Sequence, residues 1–492
     1  MSQGQNVAKT APSVLATEPG AAVATSARGA AHWLLVCLGA AVLAAAYYPG
    51  VMRPDSLDQY REAISGRYTD WHPPVMAWLW GWIDAGGGPR SIFLLHLLLY
   101  AAGIGLIADG LRGGGRRLSA VLVLLAGAAP IPLGYVGVIM KDTTLMVSLL
   151  SAVGLVGRWA LREEQVPATA WLGAGLLLAF GALLRFNAPF AAVPLLLCLL
   201  PRWRRARPLR RAALGVLALL LVLLASPIVT QAAFQPVRSD VRLSPIIYDL
   251  GGITHHSGRN HFPELGVAEF VRANSERCYS PTWWDNYYWG PCAFVFSRMG
   301  ALMREGDFNP YLAWFQAVRA EPLAYLHHRL SHVNSNLRFL LPYGTSDVTF
   351  TESVPGEFGF AFTPNAVTAA IRTSGLLEAS TPAGWPAAWL ALSLGWLILL
   401  PALRPGPVRV MVSALALSAL CYGASYLAVS VASDLRYHLW TMMAAALASA
   451  AGIGELLRLG RLPILRITLA TAPVLVVSVL GMAWRVFDLP AP

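Results

Sequence analysis

Long apolar stretches alternate with short polar loops along most of the chain. A membrane-spanning helix needs about 20 mainly apolar residues, and eleven stretches meet or approach that length. The pattern therefore predicts an all-α polytopic membrane protein with about eleven transmembrane helices. The stretches cover residues 31–48, 89–109, 118–137, 143–160, 169–185, 188–201, 211–233, 384–403, 408–430, 437–457 and 463–484.

Three regions fall outside these stretches. Residues 1–30 are polar and aperiodic, which predicts a disordered tail. The loop 49–88 contains a short Trp-rich stretch that favours the membrane interface. The segment 234–383 is too long for a connector, so it predicts a mainly helical domain between spans seven and eight, with helices near 264–277, 294–304, 310–341 and 364–378. Residues 31–233 then form an N-terminal membrane core, and residues 384–492 form C-terminal membrane helices.

Composition and charge placement set the class and the orientation. Apolar residues make up 56% of the chain and charged residues 13%, about half of the usual charged share of roughly 25% in soluble proteins. This excludes a soluble enzyme and a nucleic-acid binder. Arginines fill alternate short loops, so the positive-inside rule predicts a cytoplasmic N-terminus. The Ala-, Gly-, Pro- and Arg-rich composition indicates a GC-rich genome, and we expect a bacterial inner-membrane protein whose two long loops face the periplasm.

The five cysteines divide by location. Cys37, Cys198 and Cys421 fall in apolar stretches, where a cysteine packs as a small apolar side chain. Cys278 and Cys292 both lie in the segment 234–383. A disulfide between them is expected if that segment faces the oxidising periplasm.

Ionisable residues gather at the predicted outer ends of the spans, where they are costly and often functional. Asp55 and Asp58 follow span one, three residues apart, so they share one face of a helix that begins near Ser56. Asp70 and His72 precede Pro73-Pro74 later in the same loop and form a rigid polar corner. A helix cap and a turn are the purely structural alternatives for these two groups.

Three more groups lie at the outer ends of later spans. Lys141, beside Asp142, is the only lysine outside the N-terminal tail, and an ammonium is a compact charge suited to a phosphate. Arg185 lies in the turn between spans five and six. Asp434-Leu435-Arg436-Tyr437 precedes span ten. An interfacial ion pair and snorkelling into lipid head groups are the corresponding structural alternatives.

Taken together, these motifs resemble the C-type (GT-C) membrane glycosyltransferases, which include the protein O-mannosyltransferases and the lipid A aminoarabinose transferases. The resemblance covers about 31–230 and 384–485 and rests on the order of the short motifs and on their common side. It departs from the family in two respects. The first carboxylates are spaced Asp-x-x-Asp, and the long domain lies between spans seven and eight rather than after the last span.

The resemblance implies a GT-C-like core and transfer of a sugar from a polyprenyl-phosphate donor to an extracytoplasmic acceptor: lipid A, a surface polysaccharide, a cell-wall glycan or a protein. Asp55 or Asp58 would be the general base of an inverting transfer. Lys141, Arg185 and Arg436 would bind the donor phosphate. Asp70, His72, Asp142, Asp434 and Tyr437 would support these groups, and Asp70, His72 and Asp142 would alternatively hold Mg²⁺ or Mn²⁺, although phosphate leaves without a metal.

The segment 234–383 contains further candidates. Its aromatic run includes Trp283, Trp284, Tyr287 and Tyr288, which would contact a sugar acceptor or simply pack at the interface. His328 and His332 share a helix face, but no HExxH pattern or cysteine pair accompanies them, which argues against zinc.

Two other classes compete with a transferase. A lipid-linked glycan polymerase or ligase would rely on outer arginines rather than early carboxylates. A secondary transporter would place its charges near the bilayer midplane and would often show repeat symmetry, and neither feature is present in the sequence.

Overall fold

The computed structural model describes residues 19–84, 86–201, 207–262, 268–342, 350–354 and 356–492. Within these residues every regular element is a helix, and the β-type pairing consists of three isolated bridges. This confirms the predicted all-α class. Residues 1–18 of the predicted tail and Arg202, Arg204 and Arg205 of one basic loop lie outside the described residues.

The apolar helices coincide with the predicted spans. In the described residues, six helices are long and apolar enough to cross a membrane, and a pair bent by 60° adds a seventh candidate. Four shorter apolar helices correspond to the remaining predicted stretches, so the count of eleven spans stays a prediction. These helices are α1 (Pro19–Tyr47), α4 (Pro89–Gly113), the bent pair α5 (Arg117–Ala126) and α6 (Pro130–Val136), α7 (Lys141–Ala160), α8 (Ala168–Leu184), α9 (Pro189–Leu199), α10 (Pro208–Phe234), α17 (Pro386–Leu399), α18 (Pro407–Val429), α19 (Leu439–Leu456) and α20 (Ile464–Val486).

Other helices lie in the two long loops. The first loop contains α2 (Pro54–Ser65) and α3 (Val75–Ile83). The second contains α11 (Leu243–Ser257), α12 (Ala268–Ala273), α13 (Ala293–Glu305), α14 (Pro310–Ala320), α15 (Pro322–Asn336) and α16 (Ala366–Ala379). Helices α11 to α15 surround a hydrophobic core of their own, and we call them the insert. The predicted helix 310–341 is divided at Glu321, because Pro322 disfavours helical geometry in the residue before it, and α11 was not predicted.

The bundle is built on close packing of α4 with α7. A Cβ atom on Gly154 of α7 would lie 2.9 Å from the carbonyl oxygen of Gly103 in α4. Small residues at such positions let two backbones approach, which is the main source of helix association in membranes. Helix α7 also packs against α8, and α18 packs against α9 and α19. In contrast, α10 has no buried residue among its described side chains, so it lies at the periphery.

The two ends of the bundle differ chemically. At one end, arginines pair with a few carboxylates: Arg116 Nε lies 3.4 Å from Glu455, and Arg162 lies 2.5 Å from Asp109. The opposite end carries the loops that contain Asp55, Lys141 and Arg436, and we call it the site end. The predicted basic loops and the predicted outer motifs are therefore separated by the length of the bundle.

The α4–α7 contact generates a test of the packing. Gly154→Leu should push the two helices apart and cost about 1–3 kcal/mol, the range for overpacked cores, seen as a lower midpoint of thermal unfolding in detergent. Gly175→Leu is the matched control, since a Cβ on Gly175 meets no atom within 4 Å. Equal midpoints for the two variants would contradict the close approach.

Candidate functional site

Three backbone bridges bring distant loops together at the site end. The bridge between Val51 and Val138 joins the loop after α1 to the turn before α7. Its hydrogen bonds run from Val51 N to Gly137 O (2.9 Å) and from Ile139 N to Val51 O (3.0 Å). The Ser56 hydroxyl also donates to the carbonyl oxygen of Ile139. The start of α2, which carries Asp55, is therefore held against the start of α7, which carries Lys141 and Asp142.

The second bridge, between Thr69 and Val237, connects the rest of the first loop to the chain after α10. Asp70 strengthens this junction, because its carboxylate accepts hydrogen bonds from the backbone N and the hydroxyl of Ser239 at 2.6 and 2.5 Å. Asp70 thus anchors the loop and is committed to Ser239. The anchored loop delivers His72, two residues later, to the buried side of the site.

The third bridge joins Trp283 of the insert to Ala432, just before the Asp-Leu-Arg-Tyr motif. Asn336, at the end of α15, is buried and bonds this loop at three points. Its amide nitrogen lies 3.2 Å from Ser430 Oγ and 3.0 Å from Ala432 O, and its Oδ1 lies 2.7 Å from His438 Nε2. The insert therefore holds residues 430–438, the loop that carries Asp434 and Arg436, which we call the cation loop.

Arg436 is the centre of the resulting cluster. Its guanidinium lies 2.9 Å from Asp55, 2.9 Å from Asp434 and 3.9 Å from Asp142. These carboxylates come from three different loops, and a buried arginine needs such partners to offset its lost hydration. Asp55 remains accessible, since 27% of its side chain is exposed, against 2% for Asp142.

Arg185 forms the second cation of the cluster. Its guanidinium donates to Asp142 and lies over the ring of Tyr437, 4.4 Å from the ring centroid. Tyr437 in turn stacks on Tyr426 of α18, with ring centroids 5.5 Å apart. The planar guanidinium is thus fixed by a carboxylate on one side and an aromatic face on the other.

Lys141 is held differently from the two arginines. Its ammonium lies 2.6 Å from Nδ1 of His72, and it forms no ion pair within the described residues. Because an ammonium can only donate, Nδ1 of His72 accepts and the ring proton lies on Nε2. That Nε2 is buried and has no hydrogen-bond partner in the described part of the chain, so it is an available donor beside an available cation.

The electrostatics of Asp55 and His72 follow from this arrangement. Burial opposes ionisation of Asp55, but Arg436 and Lys141 outweigh it and hold the pKa of this carboxyl well below its usual range. Burial, and then the charge of Lys141, lowers the pKa of His72 to about 3. At ordinary pH the site therefore contains a carboxylate and a neutral imidazole.

Two of the predicted acidic residues lie outside the cluster. Asp58 is on the same helix as Asp55, but it pairs with Arg61 at 2.8 Å and its side chain is 44% exposed. Asp70 is bonded to Ser239. The proposed metal set of Asp70, His72 and Asp142 does not fit a metal ion, because each of the three is bonded to a different protein group. No group of three or more His, Cys, Asp or Glu that could hold a metal occurs among the residues that the structure describes.

Most of the aromatic run packs inside the insert. Tyr287 is fully buried and donates to Asn274 at 2.5 Å. Trp284 is buried too, and the ring of Tyr288 packs at a tilt of 36° against Trp71 of the first loop, with centroids 4.5 Å apart. Trp283 is partly exposed and lies beside the cation loop through its bridge to Ala432. Of the four candidates in this run, Trp283 is the most exposed, and its contact with an acceptor stays a prediction.

The remaining predicted pairs of the insert have structural roles. Cys278 and Cys292 form a disulfide, with Cα atoms 5.6 Å apart. His328 bonds to Asp249 at 3.1 Å and to the hydroxyl of Tyr279 at 3.1 Å, whereas His332 bonds to the carbonyl oxygen of Pro281 at 2.8 Å. Both histidines belong to a buried hydrogen-bond network.

Asn336 and Arg329 were not identified from the sequence. Both lie on α15, and Arg329 donates to the carbonyl oxygen of Ser430 at 2.9 Å. The polar composition of their helix, which is rich in His, Ser and Asn, could have pointed to them. Such a helix needs hydrogen-bond partners for many polar side chains. Asn187, two residues after Arg185, bonds to Ser425 of α18 at 2.9 Å.

No family model matches the sequence, and no curated protein is similar to it at a significant level. Among solved structures, the archaeal oligosaccharyltransferase AglB from Archaeoglobus fulgidus, in complex with an inhibitory peptide and a dolichol-phosphate, is 13% identical. The match covers 92% of this chain and 55% of AglB, with a TM-score of 0.36. This chain thus spans about half the length of AglB.

A second similar structure is ArnT from Cupriavidus metallidurans. In the apo state it is 16% identical, over 86% of this chain and 76% of ArnT, with a TM-score of 0.29. Bound to undecaprenyl phosphate it is 14% identical, over 89% and 78% of the two chains, with a TM-score of 0.27.

The neutral state of His72 generates a pH prediction. Its pKa is about 3 in the folded protein and about 6.5 in an unfolded chain. Its contribution to stability is therefore present above pH 6.5 and is lost as the pH falls toward 3, because the unfolded chain binds the extra proton. The thermal midpoint should fall less steeply between pH 7 and pH 5 in His72→Gln than in the native protein. Parallel curves would contradict a neutral His72.

Proposed function

We propose that this chain is a C-type membrane glycosyltransferase that moves a sugar from a polyprenyl-phosphate donor to an acceptor hydroxyl outside the cytoplasm. The observation that carries the proposal is the convergence of Asp55, Lys141, Arg185 and Arg436 in one cluster at the ends of apolar helices. A lipid-linked anion suits that location, because its tail lies among helices while its phosphate meets cations.

Lys141 is the residue we assign to the donor phosphate. Arg185 is committed to Asp142, and Arg436 is shared among three carboxylates. Lys141 contacts a neutral imidazole, so its positive charge is available to an incoming anion. His72, which contacts Lys141, also has a free Nε2–H that would donate to a phosphate oxygen or a sugar hydroxyl.

Asp55 is the residue we assign as general base, in preference to Asp58. It takes the proton of the acceptor hydroxyl while that oxygen attacks the anomeric carbon. The bond between the anomeric carbon and the phosphate oxygen breaks, and the lipid phosphate leaves with the bonding electrons. Attack opposite the leaving group inverts the anomeric configuration. Every atom in this step comes from the two substrates and the carboxylate.

The ion pair between Asp55 and Arg436 also controls when Asp55 becomes a strong base. While Arg436 bonds Asp55, the carboxylate is strongly stabilised and is a weak base. A donor phosphate held by Lys141 would then compete with Asp55 for the hydrogen bond of Arg436, and loss of that bond would raise the basicity of Asp55. Base activation would then follow donor binding, with Asp142 and Asp434 keeping the guanidinium in place.

The placement of the charges favours this reading over transport. Lys141 is the first residue of α7, and Arg185 directly follows α8. Transporters bind their substrates near the bilayer midplane, at breaks within helices.

The first functional prediction separates Asp55 from Asp58. Asp55→Asn should reduce transfer by roughly 100-fold or more, the range for loss of a general base, whereas Asp58→Asn should stay near native activity. Purified protein would be assayed with a panel of polyprenyl-phosphate sugars, and thermal midpoints would show that both variants fold. Activity that depends on Asp58 instead, or solute uptake into proteoliposomes without a donor, would contradict the assignment.

The second prediction concerns the donor phosphate. Lys141→Ala removes a charge-assisted hydrogen bond worth about 1.5–3 kcal/mol, so the KM for the donor should rise roughly ten- to a hundredfold. Arg61→Ala is the control, because Arg61 is an exposed cation paired with Asp58 and Glu357 outside the cluster. A Lys141→Ala enzyme with native KM and native kcat would place Lys141 outside the phosphate site.

A further inference from the structure

Helix α15 has its polar and apolar faces reversed relative to a helix in water. Its buried face carries His328, Arg329, His332 and Asn336. Its exposed face carries leucines at the helical spacing of three and four residues. A helix on the surface of a soluble protein shows the opposite arrangement, so the exposed face of α15 does not have the composition of a water-facing surface.

Helix α14 continues the same surface. Its indole Trp314 points inward and donates to Asp249 at 2.7 Å, while the apolar side chains next to it point outward. The outward apolar side chains of the two helices are 52% to 80% exposed: Tyr311, Leu312, Phe315, Leu323, Leu326 and Leu330. A continuous exposed apolar surface of this kind marks an interaction site.

The buried polar face explains why the helices cannot turn over. Asp249 of α11 accepts hydrogen bonds from His328 at 3.1 Å, from Arg329 at 2.8 Å and from Trp314. Arg329 also bonds Ser430 in the cation loop. Rotating α15 to bury its leucines would leave Asp249 and Arg329 without their partners, and an unpaired buried charge costs several kcal/mol. The leucines are therefore held outward.

The position of α15 identifies what covers this surface. The hydroxyl of Ser331 bonds the carbonyl oxygen of Pro492, just beyond α20. Arg485, in the last turn of α20, donates to the carbonyl oxygens of Arg338 and Phe339, directly after α15. Helix α15 thus lies against the site end of α20, a candidate span of which only 11% is buried.

The exposed face of α20 is also apolar. Leu475, Val476 and Val479 are exposed on this span, where lipid is the expected surrounding. Val486 and Phe487, at the site end of α20, are exposed as well, so exposed apolar side chains continue along α20 up to Arg485, which bonds the chain directly after α15. Arg319, exposed in the last turn of α14, adds a cation of the kind that phosphate head groups attract.

We propose that α14 and α15 form a membrane-docking surface, with their apolar side chains inserted into the bilayer leaflet at the site end. An interfacial helix buries its apolar face about 5–10 Å into the boundary between head groups and acyl chains. The partner is the lipid surface itself. This inference concerns the insert alone and does not depend on the proposed transfer reaction.

The test uses spin labels on the full-length protein in lipid nanodiscs. Labels would be placed at Phe315→Cys and Leu326→Cys, in a background where Cys37, Cys198 and Cys421 are replaced by alanine and the disulfide is kept. Ser297→Cys is the water-exposed control on α13, and Val479→Cys is the lipid-exposed control on α20. Collision with oxygen, which concentrates in lipid, is compared with collision with a water-soluble nickel complex, and thermal midpoints verify folding.

The proposal predicts an oxygen-to-nickel accessibility ratio at both test positions that approaches the value at position 479 and exceeds the value at position 297 several-fold. A ratio equal to that of position 297 would show that the surface faces water and would overturn the proposal. Low accessibility to both reagents would show a protein partner or a second copy of the chain on this surface, which also overturns it.

Discussion

The guanidinium of Arg436 connects the parts of the site. It bonds or pairs with carboxylates from the first loop, from the start of α7 and from its own loop. A buried arginine without such partners is costly, and removing one partner leaves charge uncompensated. The three loops that supply the carboxylates must therefore meet, and the backbone bridges at Val51, Thr69 and Trp283 are the means by which they do so.

The membrane imposes the second constraint. Charges are tolerated where spans end, and the site occupies such a level, at the first residue of α7 and just after α8. In our proposal the same constraint shapes α15, which keeps its polar groups inward around Asp249 and its leucines outward. Within the bundle, close helix contacts such as that of Gly154 with Gly103 supply packing, and the ionic cluster supplies the chemistry.

The sequence identified much of this arrangement. Apolar length located the helices, and the rarity of lysine together with the outer position of Asp55, Arg185 and Arg436 selected the residues that converge. The sequence could not decide which of Asp55 and Asp58 belongs to the site, because both lie on one helix face. Only the tertiary position of Arg436, beside Asp55, distinguishes the two. The break at Pro322 was readable from the proline itself. The reversed faces of α15 were not, because periodicity shows that two faces differ but does not show which one is buried.

The hydrogen bond from Arg329 to the Ser430 carbonyl has a mechanical consequence. Arg329 of α15 bonds Asp249 through one nitrogen of its guanidinium and the cation loop through another. The insert is thus attached to Ser430, and Arg436 lies on the same short length of backbone. If an occupant of α15 changed the affinity of the cluster for its own occupant through this backbone, the reverse effect would have the same size.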